Sequence, residues 1–186
     1  MKTRSFRWTL PIFALLILAV AFSAWAQTPV PVTFHGTIND YTPATPVGGP
    51  WEVRGQWSLT LKGKSGKADF SAALNMERSD EGVLLSGGSD FNNPVDRNAH
   101  THHITLVNGA VTLIPHGFQV TGPATITANG VFPPPFGSTL PVLTIQVVGA
   151  TGKGSVPFSN ITVLFGAPAS VHFGTNPLHG VVRGIE

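Results

Sequence analysis

Trp51-Glu-Val-Arg-Gly-Gln-Trp-Ser-Leu-Thr-Leu-Lys62, a tip of Gly63-Lys-Ser-Gly66, and Lys67-Ala-Asp-Phe-Ser-Ala-Ala-Leu-Asn-Met76 together decide the fold. Taken alternately, Trp51, Val53, Gly55, Trp57, Leu59 and Leu61 interleave with Glu52, Arg54, Gln56, Ser58, Thr60 and Lys62. Side chains on an extended strand point to opposite faces in turn, so one ribbon carries an apolar and a polar face. The return run repeats the pattern with Ala68, Phe70, Ala72, Leu74 and Met76. Between the runs, two glycines in a polar tip are free to take positive φ. The stretch reads as a long, half-buried antiparallel hairpin.

An isolated hairpin is marginal in water, so a second apolar layer has to cover Trp51 and Trp57. Strands of about 12 residues span roughly 40 Å, about twice the usual length, which favours an antiparallel β-barrel or a strongly coiled β-sandwich. The alternation predicts Trp57 and Leu59 inside and Arg54 and Thr60 outside. Gly55, in the middle of the inward row, is the expected place for a bulge or bend.

Working outward, Val32–Ile38 is a short first strand inside a Pro/Thr-rich segment, 27–50. Beyond the hairpin, strand signals occur at His103–Val107, Val111–Ile114, Phe118–Ala128, Val142–Val148, Asn160–Phe165, Ala169–Phe173 and Leu178–Ile185, with a short apolar run at Val83–Leu85. Asn108-Gly109 and Asn129-Gly130 read as tight turns, and Pro115-His-Gly117 as a break. The three prolines of Val131–Gly137 remove three ladder donors and exclude a central strand there. The expectation is an all-β domain of about nine to eleven strands over residues 51–186, joined by the strand near 32–38. Phe34-His-Gly-Thr-Ile38 and Leu178-His-Gly-Val-Val182 share an apolar-His-Gly core. Paired, they would close a barrel and remove two edges.

Residues 1–26 read as a signal peptide: Lys2, Arg4 and Arg7, an apolar Ile12–Phe22 and an Ala24-Trp-Ala26 cleavage site, giving a mature start at Gln27. Its apolar run is shorter than the ~20 residues of a span, so no membrane anchor is expected after cleavage. Without the leader the chain has eight basic and nine acidic residues, a net charge of −1, which excludes nucleic acid as a partner class. The absence of cysteine in an exported chain implies stability from the core alone, and suits a bacterial periplasmic or secreted protein.

His100-Thr-His-His103 is the cluster with chemistry to test. On a strand His100 and His102 share a face about 7 Å apart, an H-x-H arrangement that can present two imidazoles to zinc, iron or copper. Where a cupin carries a Glu shortly after its H-x-H, this chain has Leu106 and Val107, so that likeness is not sustained. The search for a third ligand fails on phase. His172, between Val171 and Phe173, falls on the outer face of a strand; His35 is out of phase with Phe34 and Ile38, and His116 lies in a turn. The expectation is therefore a polar strand entry with exposed or mutually hydrogen-bonded histidines and no metal.

Asp90-Phe-Asn-Asn-Pro-Val-Asp96 supplies oxygens but not a calcium-loop spacing. No nucleophile motif and no phosphate loop stand in strand–helix context. Phe132 and Phe136, on the proline-rigid loop, either cap the core or contact a small ligand or protein partner. The leading expectation is an exported non-catalytic binding or structural module. The alternatives are a metal-binding protein or metal-dependent enzyme centred on His100 and His102, and a self-assembling surface or matrix protein.

Overall fold

The structure, a computed structural model, describes residues 31–42, 50–78, 99–130, 140–149 and 158–186. The strands are β1 (Val32–Tyr41), β2 (Trp51–Leu61), β3 (Lys67–Arg78), β4 (His100–Ile114), β5 (Gly117–Gly130), β6 (Val142–Val148), β7 (Asn160–Phe165) and β8 (Leu178–Ile185). A single helical turn, α1 (Ser170–Phe173), precedes β8. Each strand pairs antiparallel with the next, and β8 returns to β1, closing an eight-stranded barrel.

The hairpin of β2 and β3 pairs without interruption from Trp51↔Arg78 to Leu61↔Ala68. Its tip is a 3-10 turn, Gly63–Ser65, with Gly63 and Gly66 both at positive φ. Trp57 and Leu59 are buried, Arg54 is exposed, and Thr60 lies on the outer face with its hydroxyl against that of Thr33. Inward rows run across the strands: Phe34, Leu59, Phe70 and Leu106 are successive neighbours and fully buried. The β1–β8 ladder runs from Phe34↔Ile185 to Ile38↔Gly180, so the two apolar-His-Gly segments do close the barrel.

Four expectations are corrected. The barrel has eight strands rather than nine to eleven, because 103–107 and 111–114 are parts of one strand, β4, 169–173 is not a strand, and the Val83–Leu85 run lies outside the described residues. Gly55 carries no bulge; its ladders are continuous, and a Cβ there would lie 1.9 Å from the Ala73 carbonyl oxygen. Glycine is required because the backbones crowd, not because they bend. Asn108-Gly109 is no hairpin turn but an extra residue inside β4, seen as a register shift between Leu106 and Ala110. Asn108 sits there at φ 58°, its N–H donating to Asp69 and its side-chain oxygen accepting from Lys62. The actual turn lies at Pro115-His116. The fourth correction concerns Ala169–Phe173. Read as a strand it alternates, but as one turn of helix it places Ala169, His172 and Phe173 on one face at i, i+3 and i+4. Those three are the buried residues of the segment, whereas Val171 is exposed.

The turns at one barrel end are those of β2–β3, β4–β5 and β6–β7. At the other end β1, β3, β5 and β7 finish and β2, β4, β6 and β8 begin. The α1 turn lies at this second end and packs into it: the Phe173 ring stacks on Phe165 with centroids 3.9 Å apart. Gly174 at positive φ terminates the turn, its N–H bonding the Ser170 carbonyl.

Candidate metal centre

His100 and His102 stand at the start of β4, opposite Met76 and Leu74 of β3. The pleat turns both inward, in line with Ile104 and Leu106, and both are buried. Their rings lie edge to face, 4.7 Å apart. His172 comes down from α1 to meet them. Its Nε2 is 3.1 Å from His100 Nε2 and 3.0 Å from His102 Nε2, and it too is buried. Residues 70 or more apart in sequence are thus brought to one point by barrel closure and one helical turn.

The walls are aromatic. Trp51 places its ring edge-on to His100 at 4.9 Å and 5.2 Å from His172, while Phe173 lies 5.0 Å from His102. Trp51 is fixed by two hydrogen bonds with buried Thr42: its N–H donates to Thr42 Oγ1, and the Thr42 N–H donates to its carbonyl oxygen. In this setting the His102 pKa falls from 6.5 to about 3. Burial is the main cause, followed by the neighbouring His172 and His100 rings, with a hydrogen bond to the Thr127 backbone opposing. The imidazole is therefore neutral at neutral pH, the form that ligates a metal.

Protons alone serve this geometry poorly. A ring nitrogen carries either one proton or one lone pair, so His172 Nε2 cannot form a full hydrogen bond with both neighbouring Nε2 atoms. A cation at their centre engages all three lone pairs at once. With metal–nitrogen bonds of 2.0–2.1 Å, ligand nitrogens sit about 2.9 Å apart at right angles and about 3.4 Å apart at the tetrahedral angle. The two separations from His172, 3.0 and 3.1 Å, fall inside that interval, and all three donor atoms lie within 4.8 Å of one another. Among the described residues, this is the one group of three or more His, Cys, Asp or Glu side chains converging in this way.

The expectation for His172 is overturned: it is the third imidazole, not a solvent-facing strand residue. The signal that would have found it is punctuation. Gly166 and Pro168 stand before the segment and Gly174 after it, which bounds a single turn better than a strand. The other histidines lie elsewhere. His35 is near Glu186, His179 Nδ1 is 2.9 Å from Asp40 Oδ2, His103 points outward, and His116 occupies the β4–β5 turn. Phe132, Phe136 and the Asp90–Asp96 run lie outside the described residues.

A surface hollow of about 310 Å³ lies at the ends of β3, β4 and β5, lined by Asn75, Met76, Glu77, Ala99, His100, Thr101 and Asn129. Asn75, Thr101 and Asn129 point outward there, so this hollow lies on the outer side of the sheet, whereas the three imidazoles point into the barrel. A larger hollow of about 580 Å³ lies over β1–β4, between His35, Ser58, Ser71, His103 and Glu186, away from the three histidines. Comparison with known proteins found no matching family model, no matching curated protein and no matching solved structure, so the reading of this centre stands on its own geometry.

Proposed function

We propose that this chain is a metal-binding β-barrel, with His100, His102 and His172 holding one first-row transition ion. The observation that carries the reading is the convergence of three buried imidazoles inside an aromatic wall, His172 Nε2 lying 3.0 and 3.1 Å from the other two Nε2 atoms and all three donor atoms within 4.8 Å of one another. An all-nitrogen set suits zinc, copper or iron and disfavours magnesium and calcium, which take oxygen. Three protein ligands also match the pattern of centres that keep a coordination position for an exogenous group, rather than closed structural sites with four. Of the expectations from the sequence, this reading takes up the alternative centred on His100 and His102, not the leading one of a non-catalytic binding or structural module. The leader-like residues 1–26 support assembly of the site outside the cytoplasm.

The test is metal analysis of purified protein reconstituted with zinc or copper and passed through a desalting column. The expected result is one ion per chain, lost on His172→Gln, a change that keeps most of the side-chain volume. Retention by the variant at the wild-type level would refute the assignment.

A further inference from the structure

We infer that Met76 adds a thioether to the three imidazoles and makes this centre selective for copper, held as Cu(I). The inference rests on the metal-binding reading above and names the ion.

The chain is nearly free of sulfur. It has no cysteine and two methionines, Met1 and Met76. Met76 stands directly opposite His100 across the β3–β4 ladder, faces inward with it and is fully buried. Side chains opposite each other in an antiparallel pair have Cβ atoms roughly 4.5–5.5 Å apart. An unbranched side chain with three rotatable bonds brings its sulfur within reach of the space that the imidazole faces. The other cross-strand neighbours of His100 and His102 are Leu74, Ala128 and Gly130, none with a side-chain donor atom. The one thioether of the barrel therefore lies beside the point where, among the described residues, three imidazoles converge.

Softness and charge select the same ion. Imidazole suits zinc, copper and iron alike, whereas a thioether is a soft donor that favours Cu(I). An axial thioether forms a long, weak bond, so it biases the choice of metal without closing the centre. The ligand set is also neutral: among the described residues no carboxylate joins the converging group, and Trp51 and Phe173 wall it with aromatic rings. Burying an ion without a compensating charge costs more as its charge rises, and Cu(I) brings one positive charge where zinc brings two.

The test sets Cu(I) against zinc in the full chain. Each affinity is measured by competition with a chromophoric chelator, Cu(I) under anaerobic, thiol-free reducing conditions, for the wild type and for Met76→Leu, a swap that nearly conserves volume. X-ray absorption at the copper edge reports the ligand atoms of the wild type directly, independently of how the variant folds. The expected result is a sulfur scatterer beside nitrogen in the wild type and its absence from Met76→Leu. Cu(I) affinity should fall in the variant by about 10- to 100-fold, the range for losing a supporting group at a metal centre, with zinc affinity unchanged. A wild-type copper shell of nitrogen or oxygen alone would overturn the inference while leaving the metal centre standing. Equal losses of zinc and Cu(I) in Met76→Leu would assign Met76 to packing and overturn it also. A wild type that binds neither ion, or a His172→Gln variant that keeps both, would remove the centre and the inference together.

Discussion

At the scale of the residue, His102 shows how burial sets chemistry. An imidazole with an ordinary pKa of 6.5 is held at about 3 because its charged form loses water and faces the His172 and His100 rings. The folded chain then binds fewer protons than the unfolded chain between those values, so stability rises with pH in that window. In the metal-free protein this contribution is fully present above about pH 6.5 and is lost as pH falls toward 3, at about 1.4 kcal/mol per pH unit for one such group. Urea midpoints measured across the window should decline with acid, and His102→Asn should flatten the decline. Equal acid sensitivity in that variant would put the effect elsewhere. Half of this site was legible in the sequence, because His100 and His102 are two apart on a strand that alternates cleanly. His172 was not, because the alternation of Ser-Val-His-Phe alone satisfies a strand as well as a single helical turn, and only the flanking Gly166, Pro168 and Gly174 favour the turn that the packing adopts.

At the scale of the element, the β2–β3 hairpin was readable almost in full: the inward row, the polar row and the glycine tip all follow from period-two alternation. The role of Gly55 was not, since a sequence shows where a side chain is missing but not which backbone fills the space. Two glycines of the hairpin separate the effects. A Cβ on Gly55 meets the Ala73 carbonyl oxygen at 1.9 Å and Leu74 Cα at 2.9 Å, both backbone atoms that cannot swing away. Gly66 has open space around it but sits at φ 61°. Gly55→Ala should therefore destabilise by about 3 kcal/mol, the upper range for overpacking, and Gly66→Ala by about 1 kcal/mol from left-handed strain alone. Gly66→Asn should recover most of the latter, because Asn tolerates that conformation. Chemical denaturation of the three variants checks the ranking; equal losses at the two glycines would show that the strands can part at Gly55. The bulge at Asn108 belongs to the same scale. Asn-Gly is the strongest short hairpin signal, yet Lys62 and Asp69 on the neighbouring hairpin grip Asn108 and keep β4 running through.

At the scale of the whole molecule, closure places the three histidines. The trio needs β4 and the β7–β8 connection to face each other across one barrel end, and only a sheet joined at β1 and β8 holds them so. The seam is firm at its far end, where Thr33 and Glu186 exchange both backbone hydrogen bonds at 2.8 Å. The chain ends of the barrel are thus adjacent, at the end opposite the histidines. The β2–β3 tip lies at that same end and contains no buried residue. A circular permutant follows from these facts. Residues 186 and 31 would be joined by a short Gly/Ser linker, and new termini cut between Lys64 and Ser65. Every ladder survives except the covalent link of one hairpin, and the end that holds the three histidines is untouched. Permutations at such exposed tips are those that succeed. The permutant should fold with a melting temperature only a few degrees below that of the unpermuted chain from residue 31, since long loop closure costs little more than short, and should bind one zinc per chain. A permutant that binds metal but melts far lower would locate most of the stability in the covalent hairpin. One that folds and binds no metal would show that β2 and β3 position Trp51 and the histidines through their connection rather than through the closed sheet.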